Sequence, residues 1–355
     1  MNTRFFIHPK YKAQVLTIST QNLPWRAFDN KSLLITGAAG LIGSFLIDVL
    51  MSAKDLHILN CKIFVLGRTS LKLENRFQEY LGDENFHIIT QDINQEFSNE
   101  LNGISPDFII HLASNTHPLA YSSDPIGTIT TNLIGTNNLL EFASIKKTKR
   151  IVFASSVEIY GKNRGDKQAF SEDYCGYIDC NTMRAGYPEA KRCGEALCQA
   201  YIKQEGLNIV IPRLSRVYGP SMLETDSKAI AQFIKKAVAG EVIVLKSAGT
   251  QLYSYSYVAD AVNGILYCLF FGENGSAYNI SDPESDITLK DLADSLAKIA
   301  GTEVVFENPD SQEAAGYSTA DMAIMDSSKL QNLGWSAFYP IKQGLKECVE
   351  ILKTN

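Results

Sequence analysis

Short apolar runs alternate with stretches of helical period along the first two thirds of the chain. Ser32–Thr36, Lys62–Leu66, His87–Thr90, Phe108–Leu112, Ile151–Ser155 and Ile209–Arg213 are brief and almost continuously apolar, the pattern of strands buried on both faces. Between them, segments such as Asn132–Ser144 and Glu189–Gln204 carry apolar residues at helical spacing on more than one side. Strands alternating with helices predict βαβ units and hence an α/β fold, a doubly wound parallel sheet of the Rossmann type. A helix apolar on two sides can cover the sheet with one and a second subunit with the other, which predicts a homodimer with a four-helix seam. Beyond Ser215 the alternation loosens, and Ala229–Val238, Leu289–Ala300 and Ile341–Leu352 read as helices around shorter strands. The expected division is an extension over 1–30, a Rossmann domain over 31–213 and a smaller C-terminal lobe over 214–355, partly interleaved with it.

Composition narrows the class. With 355 residues, 45% hydrophobic and 20% charged, the chain has the make-up of a globular protein with a sizeable core. A net charge of −6 argues against a general grip on nucleic acid, and the basic run Lys146-Lys147-Thr148-Lys149-Arg150 reads as a helix end, where cations suit the dipole. The seven cysteines are scattered without a C-x-x-C pair or a metal-ligand cadence, so no metal is expected and reduced thiols in a cytoplasm are the simplest account. No stretch approaches the apolar length of a membrane span, and Met1 to Asn30 lacks the apolar core of a signal peptide. Those thirty residues, with Phe5, Phe6, Trp25 and Phe28, carry no readable motif and are expected to pad the fold edge or a subunit contact.

The chemistry is concentrated at separated points. Gly37-Ala-Ala-Gly40-Leu41-Ile42-Gly43 joins the first apolar run to an amphipathic stretch. Gly37 permits a tight turn, Gly40 lets backbone approach a pyrophosphate, and Gly43 lets helix pack on strand, with the helix N-terminus aimed at the anion. Read alone, the same glycines fit a tight turn that binds nothing. Tyr187 and Lys191 are four apart, hence on one helix face, where a lysine ammonium stabilises a phenolate and makes Tyr187 a candidate general base. Ser155 and Ser156 end a predicted strand, where ligands bind in open parallel sheets, and a hydroxyl there can bridge a substrate hydroxyl and the Tyr187 oxygen.

Taken in this order, the glycine turn, the strand-end serines and Tyr-x3-Lys resemble the extended short-chain dehydrogenase/reductases that act on nucleotide sugars. Asn132-Leu-Ile-Gly135-Thr136, Arg213 through Tyr218-Gly219-Pro220, and Lys329 through Gly334-Trp335 resemble further motifs of that superfamily. The branch most similar is the UDP-glucuronate decarboxylases, through His111-Leu-Ala, Pro118 with Tyr121, Ser171-Glu-Asp-Tyr174, and Arg184-Ala-Gly-Tyr187-x-Glu189-x-Lys191-Arg192. The resemblance implies that Tyr187 is the base, Lys191 grips the nicotinamide ribose, Ser155 or Ser156 orients the sugar 4-hydroxyl, and Glu158 faces C5. It implies substrate contacts for Tyr121, Arg184, Arg213, Arg216 and Tyr253.

Three departures stand out. Val157 takes the place where glucose 4,6-dehydratases carry a proton-donating Asp, Tyr253 stands where the superfamily offers an Arg to the nucleotide diphosphate, and Arg216 stands where it has Asn. The resemblance points to NAD, with Asp92 and Ile93 near the adenine, whereas Arg68 after the second strand suits the 2′-phosphate of NADP equally with adenine stacking. All branches share oxidation at C4. Decarboxylation of a nucleotide hexuronate needs no acid at Val157 and leads the ranking, ahead of 4,6-dehydration and 4-epimerisation. A non-catalytic dinucleotide sensor is the alternative of another class, and loss of the Tyr/Lys pair would be its mark.

Overall fold

A computed structural model describes residues 4–116, 118–308 and 320–353; the side chains of 118–120, Pro118 among them, lie outside the described set. The strands in chain order are β1 (Ser32–Thr36), β2 (Lys62–Gly67), β3 (Phe86–Thr90), β4 (Phe108–His111), β5 (Arg150–Phe153), β6 (Ser155–Ser156) and β7 (Ile209–Leu214). With Ala277–Ile280 they form one eight-stranded sheet, ordered Ala277–Ile280, β7, β5, β4, β1, β2, β3, with β6 continuing β5 along β7. Every pairing in it is parallel. This is the doubly wound order, and it reverses between β1 and β4, where ligands of such sheets bind.

Alternation along each strand sorts the apolar residues onto two faces. Leu33 and Ile35 join Ile63, Val65, Ile110 and Val152 in one core, whereas Leu34 joins Ile109, Ile151 and Ile209 in the other. The helices Leu41–Leu56 and Val258–Phe271 cover the first face, and Pro125–Ile145 and Gly186–Glu205 cover the second. Deleting a fully buried leucine such as Leu34 to alanine would cost roughly 2–5 kcal/mol.

The helix read as beginning near Asn132 starts at Pro125. Asp124 caps it, accepting from the Gly127 amide at 3.0 Å, and Pro125 occupies the first turn, where its missing N–H costs nothing. The N-terminal extension contains a helix, Pro9–Ser19, docked between the helices Leu41–Leu56 and Ile341–Lys353. Gln14 bridges it to the rest of the fold, accepting from Tyr257 Oη at 3.0 Å and donating to Glu347 at 2.7 Å.

The C-terminal residues build a second layer over the carboxyl ends of the sheet. Leu252–Tyr257 pairs with Arg216–Tyr218 and Met322–Ala323 in parallel and with Asp286–Thr288 antiparallel, and Ile243–Leu245 pairs with Val304–Phe306. The helices Ala229–Ala239, Leu289–Ala300 and Ile341–Lys353 pack around these strands. Asp260 pins the tail by accepting from the amides of Phe338 and Tyr339 at 2.7 and 3.1 Å. Among the described residues, no helix is long and apolar enough to cross a membrane.

Candidate active site

The glycine turn shows directly why these residues must be glycine. Gly37 sits at φ +68°, and a Cβ there would lie 2.7 Å from the backbone of Leu112 and Ala113 beyond β4. A Cβ on Gly43 would come within 2.4 Å of the Gly37 carbonyl, so the helix Leu41–Leu56 could not seat so close to the strand end. Gly40, by contrast, meets only the Gly37 carbonyl at 3.2 Å and faces the cleft as bare backbone. Bare backbone at the N-terminus of a helix whose first turn is Leu41 and Ile42 is a surface that can receive a diphosphate.

From this turn a cleft of about 1820 Å³ runs between the sheet and the C-terminal layer. It exceeds the several hundred Å³ of a single small-molecule pocket and has room for two nucleotide-sized ligands. Arg68, Asp92 and Ile93 line one arm, Tyr187 and Lys191 its middle, and Arg216 and Tyr253 the other arm. Arg68 is exposed at the rim. The Asp92 carboxylate accepts from the Asn94 amide at 2.9 Å.

Tyr187 opens the helix Gly186–Glu205, and both Tyr187 and Lys191 are buried. Burial pushes the Tyr187 phenol above its ordinary value. Hydrogen bonds with Ser156 and Ser114 and the Arg184 charge pull the other way, while Glu158 adds to the rise. Ser156 accepts from the Glu158 amide at 3.3 Å, which leaves its own proton for the Tyr187 oxygen. Burial brings the Lys191 ammonium down to about 8, and its Nζ donates to the Ala154 carbonyl at 2.8 Å.

The two strand-end serines separate. Ser155 donates to Glu195 Oε1 at 2.5 Å and is spent on an interior network, so the hydroxyl beside Tyr187 is that of Ser156. The same network corrects the expectation for Arg213, which does not line the cleft. Its guanidinium donates to Glu195 at 2.7 and 3.0 Å, to Tyr160 Oη at 3.0 Å and to the Glu172 carbonyl at 2.6 Å, so Arg213 ties the sheet to the segment before the helix Gly186–Glu205.

Ser114 was not visible as a site residue in the sequence. It follows β4 as Ser156 follows β5, and the strand-end rule that singled out one hydroxyl applies to the other. Ser114 donates to Asn132 Oδ1 at 2.9 Å, and Asn132 donates in turn to the Thr128 carbonyl at 2.8 Å, so the helix Pro125–Ile145 fixes this serine against Tyr187.

A column of side chains stands beside the phenol. Tyr121 stacks on Tyr187 with ring centres 5.0 Å apart, and the Arg184 guanidinium lies 4.8 Å from the Tyr121 ring centre. Arg184 Nη2 donates to both oxygens of Glu158, at 2.7 and 2.6 Å, while its Nε is buried without a partner. Burial works against the Arg184 charge, and Glu158 outweighs it, so the guanidinium is held above its ordinary value. Val157 is buried in the turn that carries Glu158 and offers no proton. In the far arm, Arg216 lies over Tyr253 with its Nη1 buried and unpartnered.

The chain has relatives among known proteins. Residues 33–281 match the model of the "NAD dependent epimerase/dehydratase family". It is similar to UDP-glucuronic acid decarboxylase 1 of Danio rerio, at 32% identity over 91% of this chain and 72% of that one, and to UDP-glucuronic acid decarboxylase 6 of Arabidopsis thaliana, at 31% over 89% and 87%. Among solved structures it is similar to UDP-glucuronic acid 4-epimerase from Bacillus cereus in complex with UDP-glucuronic acid and NAD, with a TM-score of 0.76 and 25% identity over 91% of this chain and 99% of that one.

Proposed function

Since the chain belongs to the NAD dependent epimerase/dehydratase family, we propose that it is a nucleotide-sugar enzyme working by transient oxidation at C4, and specifically a nucleotide-hexuronate decarboxylase. The observation that carries the second step is the column Tyr187, Tyr121, Arg184, which stands a half-buried cation with a buried, unpartnered N–H beside the base. Glu158 already pairs with one end of this guanidinium, and a C6 carboxylate would add an anion for the unpartnered Nε–H, which a neutral hexose does not offer. The comparisons with two decarboxylases support the same reading.

NAD fits the cleft: the bare backbone of Gly40 and the first turn at Leu41 and Ile42 would hold its diphosphate, Asp92 and Ile93 its adenine, and Lys191 its nicotinamide ribose. When bound, NAD supplies reversible hydride acceptance at the sugar C4. The phenolate form of Tyr187, which the hydrogen bonds with Ser156 and Ser114 and the Arg184 charge favour against burial, takes the proton of the 4-hydroxyl. The resulting 4-ketone is β to the C6 carboxylate, so the C5–C6 bond breaks with release of carbon dioxide, its electrons pass into the enolate, and C5 takes a solvent proton. Tyr187 then returns its proton to the C4 oxygen as the ketone is reduced. Arg216 and Tyr253 would hold the nucleotide diphosphate.

In this reading residues 31–213 hold the dinucleotide and 214–355 mainly the nucleotide sugar. Two copies would pair through the helices Pro125–Ile145 and Gly186–Glu205, where Ile126, Ile134 and Ile145 are exposed. The seven unpaired cysteines suit a reducing cytoplasm. Incubation with a panel of nucleotide sugars, read by product mass, tests the reaction. Loss of carbon dioxide from a nucleotide hexuronate is expected. Loss of water or an unchanged mass would assign dehydration or epimerisation instead.

A further inference from the structure

The cleft extends past the glycine turn to a wall made by the N-terminal extension. Arg4, Phe5 and Phe6 line it together with Arg68, Lys72 and Arg76. In a doubly wound sheet the residues that follow the second strand face the adenosine ribose of a dinucleotide, and Arg68 is the first residue after β2. The N-terminal residues therefore stand at the adenosine end of the site, more than thirty positions before the glycine turn that marks the motif.

They are fastened there by one side chain. The Arg76 guanidinium lies 5.3, 5.4 and 5.0 Å from the ring centres of Phe5, Phe6 and Phe77. It pairs with Asp48 and donates to the Ser44 carbonyl at 3.2 Å, both on the helix that follows the glycine turn. Tyr11 Oη donates to the same Asp48 at 2.5 Å, and the Phe5 ring packs edge-on against Tyr11 at 5.2 Å. Phe6 is buried, and Arg76 Nε is buried without a partner on the cleft wall. A segment that only padded the fold edge would not need a half-buried arginine shared between its aromatic rings and the helix Leu41–Leu56.

We infer that Arg4–Phe6 form a wall of the adenosine-ribose pocket, held by Arg76, so that the N-terminal extension is a dinucleotide-retaining element. The inference rests on the dinucleotide reading above. Its test uses the full chain freed of dinucleotide and titrated calorimetrically with ADP-ribose and, separately, with nicotinamide mononucleotide. The Phe5→Ala/Phe6→Ala double variant is expected to bind ADP-ribose about tenfold or more weakly while its response to nicotinamide mononucleotide stays within about twofold. In the unsubstituted chain, ADP-ribose is expected to slow hydrogen exchange at the amides of residues 5–7 as well as at the glycine turn, a readout that stands even where the variant fails to fold. Equal ADP-ribose affinity in a folded variant, or protection confined to the glycine turn, overturns the inference alone. An unsubstituted chain that binds neither compound overturns the dinucleotide reading and this inference with it.

Discussion

Arg216 lies face-on over the ring of Tyr253, its guanidinium carbon 3.5 Å from the ring centre. The two come from neighbouring parallel strands, Arg216 opposite Tyr255 and Tyr253 two residues earlier on the same face. Tyr253 is itself fixed, donating from its hydroxyl to the Ala320 carbonyl at 2.8 Å. The resemblance implies an Arg where Tyr253 stands, and the structure sets a cation, Arg216, over that tyrosine in the same part of the cleft. The cation comes from the adjacent strand, with the tyrosine as its shelf.

Arg216→Ala should accordingly weaken binding of a nucleoside diphosphate. A hydrogen bond to a charged group is worth about 1.5–3 kcal/mol, which corresponds to roughly 10- to 100-fold in affinity. The loss should fall mainly on KM rather than kcat, since Arg216 is not among the groups that act on the Tyr187 phenol. Calorimetry with a set of nucleoside diphosphates checks it, and the exchange Arg216→Asn/Tyr253→Arg should recover much of the binding. Unaltered affinity in Arg216→Ala would remove this residue from the substrate site.

The rate should depend on Lys191 with a definite sign. Its ammonium is brought down to about 8 by burial, so raising the pH through that value removes the charge beside the Ala154 carbonyl. Ionisation of Tyr187, which the base step needs and which burial resists, is favoured as the pH rises, so Tyr187 does not supply the fall. Activity should decline as pH rises past about 8, and Lys191→Met should be slow but without that decline. Tyr187→Phe should lose roughly 10²–10⁴ in kcat while retaining the dinucleotide. A Lys191→Met profile that still falls near the same pH would place the titration elsewhere.

The strands and the helix that carries Tyr187 and Lys191 were legible because each answers to a local pattern: an apolar run bounded by turns, or Tyr and Lys one helical turn apart. The start of the helix at Pro125 was legible in principle, since Asp124-Pro125 is a cap followed by a first-turn proline, but the apolar period before Asn132 is weak. Which serine serves Tyr187 was not legible. Ser155 and Ser156 are adjacent on a strand and point to opposite faces, and the choice depends on Glu195, forty residues away, claiming one of them. Arg213 misled for a similar reason: the same glutamate and Tyr160 turn its guanidinium inward. The N-terminal extension was opaque because its aromatic residues answer to Arg76 and Asp48, a contact no spacing encodes.

Arg68 decides the cofactor question at the rim of the cleft. It is exposed and follows β2 directly, where an acid would select against a 2′-phosphate. With NAD as the working cofactor, Arg68 would stack on the adenine, and Arg68→Ala should weaken NAD and NADP by similar factors, measured by fluorescence titration. A loss confined to NADP would show that Arg68 binds the extra phosphate and would reassign the cofactor.

Glu158 and Arg184 distinguish decarboxylation from its rivals. In the resting site the Arg184 guanidinium is answered by both Glu158 oxygens, and a substrate carboxylate would offer it the same chemistry. Removing one partner of a largely buried pair leaves the other charge uncompensated, so Glu158→Gln should lower the melting temperature. A nucleotide hexuronate should restore more of that loss than the corresponding nucleotide hexose, because only the acid supplies a new anion for Arg184. Turnover in Glu158→Gln should persist, since decarboxylation breaks the C5–C6 bond and needs no base at C5. Dehydration must abstract the C5 proton, so the same substitution would nearly abolish it. In deuterated solvent the product should carry one deuterium at C5 alongside released carbon dioxide, whereas a 4-epimerase returning its own hydride would introduce none on carbon. A 6-deoxy-4-keto product, or an unlabelled epimer, would overturn the decarboxylase reading while leaving oxidation at C4 by way of Tyr187 in place.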